Sequence, residues 1–70
     1  MDITIYATKT CNVCKMFKSK LEAKNINFFY IDDEETTIAY GSKLGIMQVP
    51  IIEIDGEVYD VSGAAKKLGL

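Results

Sequence analysis

Over residues 2–7, Ile3, Ile5 and Ala7 alternate with Asp2, Thr4 and Tyr6, and β-branched residues dominate, which predicts a strand. The apolar period then lengthens. Val13, Met16, Phe17 and Leu21 fall at helical spacing, so the pattern predicts a helix opening at Thr10 or Cys11 and running to about Lys24, with those four as its buried arc. Cys14 lies at the edge of this arc and Cys11 at the helix mouth, so the first sulphur is expected to be exposed and the second sheltered. Lys20 and Lys24 also fall in the arc, where their stems can follow the core while their charges favour the helix dipole.

Asn25-Ile26-Asn27 punctuates the chain, and the apolar run Phe28-Phe29-Tyr30-Ile31 reads as a second strand buried on both faces. Asp32, Asp33, Glu34 and Glu35 suit a helix start; that helix runs through Ile38 and Leu44, with Lys43 in its last turn and Gly45 after it. Pro50-Ile51-Ile52-Glu53-Ile54 reads as a third strand that begins with proline, a permitted place for it. Asp55-Gly56 then signals a two-residue hairpin into Glu57-Val58-Tyr59. Ser62 is the expected cap of a last helix ending near Lys66, Lys67 and Gly69. Tyr40, Tyr59 and Phe29 are expected in the core or at its boundary.

The order β-α-β-α-β-β-α makes the first two strands parallel neighbours joined by a right-handed crossover, and the hairpin adds an antiparallel pair. An α/β chain with one mixed four-stranded sheet, flanked by helices on both faces, is the economical packing. Seventy residues form one domain, residues 1–70, with a modest core.

Composition narrows the function. A net charge of −2, with eight lysines and no arginine spread along the chain, offers no basic stripe for nucleic acid. No apolar run approaches the roughly 20 residues of a membrane span, and Asp2 without a basic segment is unlike a signal peptide. A cytoplasmic monomer is the expectation. In a reducing compartment paired cysteines are usually catalytic or metal-binding. Two cysteines and no histidine fall short of about four ligands for zinc or an iron–sulphur centre, unless two chains each contribute Cys11 and Cys14; no metal is expected.

Cys11-Asn12-Val13-Cys14 stands where strand hands over to helix. A helix N-terminus favours negative charge, and Lys9 and Lys15 add cations, so Cys11 is the candidate attacking thiolate. Cys14 is the candidate resolving thiol, placed to break whatever disulfide Cys11 makes. A rival reading is a binding module whose cysteines do not turn over. Tyr6 either lines the substrate cleft or packs half-buried. Thr8 and Thr10 either hydrogen-bond near the Cys11 sulphur or cap the helix. Ser62 and Gly63 either offer backbone N–H groups to a substrate or form a plain cap.

The C-x-x-C motif, followed about 36 residues later by Gln48-Val49-Pro50, then Asp55-Gly56 and Ser62-Gly63, resembles a minimal glutaredoxin of the thioredoxin-fold superfamily. The resemblance implies a thioredoxin-like fold, a dithiol–disulfide oxidoreductase without bound cofactor, and protein disulfides as substrates. It also implies a cis peptide before Pro50, which would set the Val49 backbone beside the sulphurs for an extended substrate. Gln48-Val49-Pro50 and Ser62-Gly63 look like the NrdH-redoxin branch, which takes electrons from thioredoxin reductase and passes them to ribonucleotide reductase. Ordinary glutaredoxins use glutathione; their usual lysine is replaced here by Thr8, and Ala64-Ala65-Lys66 supplies no acid after Ser62-Gly63. Val61 and Ala64 also replace the aromatic residues that flank Ser-Gly in the NrdH branch.

Overall fold

The computed structural model describes residues 1–70. Its elements follow the expected order: β1 (Ile3–Tyr6), α1 (Asn12–Ala23), β2 (Phe29–Ile31), α2 (Glu34–Leu44), β3 (Ile51–Ile54), β4 (Glu57–Tyr59) and α3 (Val61–Leu68). The strands form one sheet in the order β2-β1-β3-β4. β1 and β2 are parallel, and the other two pairs are antiparallel. The hairpin turn places Asp55 at φ 50° and Gly56 at φ 84°, the doubly left-handed geometry that matches the twist of its strands. Asp55 also fixes the start of the chain: Asp2 N–H donates to its carboxylate at 2.8 Å, and its own N–H donates to the Asp2 carbonyl at 2.9 Å.

The period-two alternation of β1 and β3 divides the molecule into two layers. On one face Ile3, Ile5, Ala7, Ile52 and Ile54 meet Cys14, Phe17 and Leu21 of α1 and Ala64 of α3 in a single buried cluster. On the other face Tyr6, Ile51 and Glu53 meet α2. There Tyr6 stacks on Tyr40, the Tyr40 hydroxyl donates to Glu53, and buried Thr37 donates its hydroxyl to the Ala7 carbonyl at 2.7 Å.

Several expectations need correction. The buried stripe of α1 is Cys14, Phe17 and Leu21, whereas Val13 and Met16 are 51% and 62% exposed. Positions i, i+3 and i+7 already face the sheet, so the two remaining apolar side chains turn outward. Lys20 and Lys24 are exposed as well. β2 is an edge strand, with Phe29 70% exposed and therefore neither core nor boundary. α2 rests on the sheet through Thr37 and Gly41, while Ile38 and Leu44 are exposed. A Cβ on Gly41 would stand 2.7 Å from the Ile46 carbonyl oxygen, so glycine permits that close approach. Finally, Asp60 caps α3, one turn-forming position before Val61, and Ser62 is an exposed first-turn residue.

Candidate functional site

Strand direction gathers the candidate residues at one end of the sheet. Tyr6 faces Ile31 on β2 and Ile51 on β3, and Ile52 faces Tyr59 on β4. β1, β2 and β4 therefore end together, beside the start of β3. All three helices begin at that end, as does the Val49-Pro50 segment leading into β3. Each helix start carries about half a positive charge from its unpaired N–H groups.

Different groups meet those three fields. The Asp33 carboxylate caps α2, accepting from Thr36 N–H at 3.2 Å and from the Thr36 hydroxyl at 2.5 Å; Glu34 and Glu35 follow in the first turn. The two Thr36 bonds, with a smaller contribution from Lys9, hold the Asp33 carboxyl below the usual carboxylate range. Asp60 caps α3, accepting from Gly63 N–H at 2.7 Å. α1 alone has no carboxylate in its cap or first turn. Its cap is Cys11, whose Sγ accepts from Cys14 N–H at 3.1 Å. The field of α1 thus falls on a sulphur.

Cys11 and Cys14 are joined in a disulfide, with Cα atoms 5.3 Å apart. Cys14 is fully buried within the apolar cluster, as expected, whereas Cys11, expected to be exposed, is half-buried against its edge. A reagent from solvent therefore meets Cys11 first. The arrangement can exchange one exposed sulphur with an outside disulfide while keeping the second behind it.

Other candidate positions fare differently. Thr8 is half-buried and gives its carbonyl to Cys11 N–H at 3.4 Å. Neither Thr8 nor Thr10 caps α1, because Cys11 occupies that position itself. Lys9 and Lys15 are exposed and line a common hollow of about 270 Å³ with Thr8 and Lys18. The Val49–Pro50 peptide is cis, with Val49 exposed and Pro50 buried. A cavity of about 150 Å³, lined by Gly41, Ile46, Met47 and Val49 among others, opens beside this segment. Another of about 240 Å³ lies between Pro50, Val58, Tyr59 and Asp60. Neither is lined by the cysteines. Tyr6 is half-buried under Tyr40, with ring centroids 4.3 Å apart, so the packing reading describes its position. Ser62 is exposed, and the Gly63 N–H is taken by Asp60 rather than left for a ligand.

Sequence reasoning passed over Asp60 and Thr37. Asp60 was findable, since it stands directly before the first apolar residue of α3; Thr37 carries no signal in an apolar pattern. No group of three or more histidine, cysteine, aspartate or glutamate side chains is assembled for a metal ion. No helix is long and apolar enough to cross a membrane.

Comparison with known proteins agrees with this geometry. Residues 3–59 match the glutaredoxin family profile. An uncharacterized glutaredoxin-like 8.6 kDa protein of the rubredoxin operon in Clostridium pasteurianum is 39% identical over 59 residues, covering 80% of this chain and 79% of that protein. Among solved structures, NrdH-redoxin from Escherichia coli superposes with a TM-score of 0.72 at 24% identity, over 86% of this chain and 82% of that one. A mutant of the thioredoxin-like protein BC3987 superposes with a TM-score of 0.76 at 23% identity, over 96% and 94%. The two superpositions place the fold among thioredoxin-like proteins.

Proposed function

The chain belongs to the glutaredoxin family of thiol–disulfide oxidoreductases, and on that premise we propose that it reduces protein disulfides with Cys11 as nucleophile and Cys14 as resolving thiol. The Cys11 thiolate attacks one sulphur of the substrate disulfide; the other sulphur leaves as a thiolate and takes a proton from solvent. Cys14, deprotonated in turn, attacks Sγ of Cys11, and the second substrate thiol departs. Two electrons have then moved to the substrate, and the protein carries the Cys11–Cys14 disulfide. An external donor returns it to the dithiol.

One observation carries the reading. Of three helix starts at this end of the sheet, two are capped by carboxylates and the third by the Cys11 sulphur. An uncompensated helix start stabilises a thiolate, and Lys9 and Lys15 add to it. Burial protects Cys14 from outside reagents and reserves it for the second step. Val49, exposed at this end of the sheet just before β3, and Pro50 beside it are assigned to holding an extended substrate segment. Thr8, Lys9 and the exposed Ser62 complete the proposed substrate-facing set, while Tyr6 packs on Tyr40 and the Gly63 N–H serves the cap of α3. Residues 1–70 act as one cytoplasmic domain and as a monomer, with no organic cofactor.

The donor we propose is thioredoxin reductase with NADPH, and the acceptor a protein such as ribonucleotide reductase. Support comes from Thr8 in place of the usual lysine and from the start of α3. There Ala64-Ala65-Lys66 follows Ser62-Gly63 with no acid for the α-amino group of glutathione, and the one carboxylate, Asp60, lies before them as the cap. The superposed Escherichia coli protein is itself described as glutaredoxin-like with a thioredoxin-like activity profile. Glutathione as donor is the second reading, favoured by the family match.

Two assays test this. Cys14→Ser is expected to accumulate a mixed disulfide with an insulin chain, and failure to trap one while folded would refute the assigned roles. NADPH with thioredoxin reductase is expected to sustain turnover; turnover only with glutathione and its reductase would transfer the assignment to the second reading.

A further inference from the structure

Lys9, two residues before Cys11, is shared by two hollows of opposite charge. Along α1, Lys9, Lys15 and Lys18 line a depression of about 270 Å³, where three lysines outnumber the carboxylates of Glu22 and Asp32. Tyr30 forms its apolar wall, and Lys18 Nζ sits 4.8 Å from the centroid of the Tyr30 ring, a cation–π distance that holds this charge at the hollow. Beyond Lys9 the sign reverses. There Lys9 and Thr10 border a second hollow of about 280 Å³ whose remaining walls are Asp33, Glu34 and Glu35. Lys9 and Thr10 directly precede Cys11 in the chain, and Lys15 follows it by one helical turn. Lys9 therefore marks the border between a basic and an acidic surface two residues from Cys11.

We propose that the disulfide-bearing protein substrate docks with an acidic segment over Lys9, Lys15 and Lys18, leaving the opposite flank of its disulfide, neutral or basic, against Asp33–Glu35. This rests on the assignment of Cys11 as the attacking thiolate and adds the direction in which a substrate lies across it. Reversing the substrate sets its acidic segment against Asp33–Glu35, so the gradient selects one orientation as well as one class of partner.

The test uses the full chain, reduced and freed of reductant, in single-turnover reaction with excess disulfide. Disulfide-cyclised peptides of one length carry three Asp, three Ser or three Lys on one flank, each made in both chain directions; oxidised glutathione serves as a further probe. In low salt the better Asp peptide is expected to react about tenfold faster than its Lys counterpart. That ratio is expected to shrink to within about twofold near 0.5 M salt. Lys18→Glu and Lys15→Glu are each expected to cut the Asp-to-Lys ratio about threefold. Because both peptides meet the same nucleophile, the ratio cancels any change in Cys11 itself. If Lys18→Glu loses its circular-dichroism signature, the exposed Lys15→Glu decides. Equal rates for Asp and Lys peptides, a ratio indifferent to salt and to the decisive variant, or an effect confined to oxidised glutathione would each overturn the docking direction. No reduction of any disulfide would instead overturn the oxidoreductase assignment.

Discussion

The two faces of the sheet are built on different physics. The face under α1 and α3 is dry: every member of its cluster, from Ile3 to Ala64, is at most 3% exposed, and all are apolar apart from the sulphur of Cys14. The face under α2 is held by polar contacts and close approach, namely Thr37 to the Ala7 carbonyl, Tyr40 to Glu53, and Gly41 against Ile51 and the Ile46 carbonyl. Its apolar side chains Ile38 and Phe29 remain largely in solvent. Burial energy thus concentrates on the side that shelters Cys14. The α2 side, which carries the apolar cavity beside Val49, is joined by a few replaceable contacts. Substitutions that leave both faces equally affected would dissolve the contrast.

The largest effect is expected on the dry face. Leu21 is fully buried, and Leu21→Ala removes its branched end and leaves a cavity. A loss of about 2–5 kcal/mol is expected in urea unfolding, enough to unfold much of so small a domain. The comparison on the other face is Ile38→Ala, expected to change stability by less than about 0.5 kcal/mol. Equal losses at the two positions would mean that α2 buries more than its exposure indicates.

Second comes Thr37→Val, which keeps shape but deletes the hydroxyl. The Ala7 carbonyl, just before the segment that carries Cys11, then loses this partner in a buried place. A loss of about 1–3 kcal/mol is expected by thermal or urea unfolding. A neutral result would show that the α2 face depends on packing alone.

Gly41→Ala is expected to follow. Its Cβ would lie 2.7 Å from the Ile46 backbone oxygen and 3.3 Å from Ile51 Cδ1, so α2 must lift from the sheet. Overpacking of about 1–3 kcal/mol is partly offset by roughly 1 kcal/mol of better helix propensity. A net loss of about 1 kcal/mol is expected, and a stabilised variant would contradict the close approach.

This contrast also explains what could be read from the sequence. Period-two alternation located β1, the apolar run opened by Pro50 located β3, Asp55-Gly56 located the hairpin, and the strand-to-helix position of Cys11 located the sulphur at a helix start. Each is a local rule whose cause lies within a few residues. Burial was harder wherever it depends on a neighbour. Val13 and Met16 match the helical period but point away from the sheet, since Cys14 takes the central place expected of them. The run Phe28–Ile31 looks buried on both sides, yet β2 lies at the sheet edge. Thr37 and Gly41, which seat α2, are invisible to any hydrophobic pattern. The charge gradient beside Cys11 needs three separate elements, residues 9–10, α1 and the start of α2, so spacing along the chain could not give it.

The smallest effect, and the only one that turns on pH, concerns Tyr40. Its hydroxyl donates to Glu53, and this bond, followed by burial, pushes the phenol up to about 12. In the unfolded chain a tyrosine titrates near 10. The folded state therefore holds the proton more tightly, so the contribution is complete below about pH 10 and is lost as pH rises through about 12. Tyr59, beside Glu57, and Tyr30, through its burial and Asp32, are raised as well, so alkaline loss of stability does not belong to Tyr40 alone. Tyr40→Phe is expected to cost about 0.5–1.5 kcal/mol at pH 8 while retaining the stack on Tyr6. Urea unfolding at pH 8 and again at about pH 11 measures the difference. The gap between wild type and variant should narrow at the higher pH, because ionisation of the unfolded chain removes what the phenol supplied. A gap of constant size would mean that Glu53 does not hold the Tyr40 proton, and the α2 face would then owe its stability to Thr37 and the seat at Gly41.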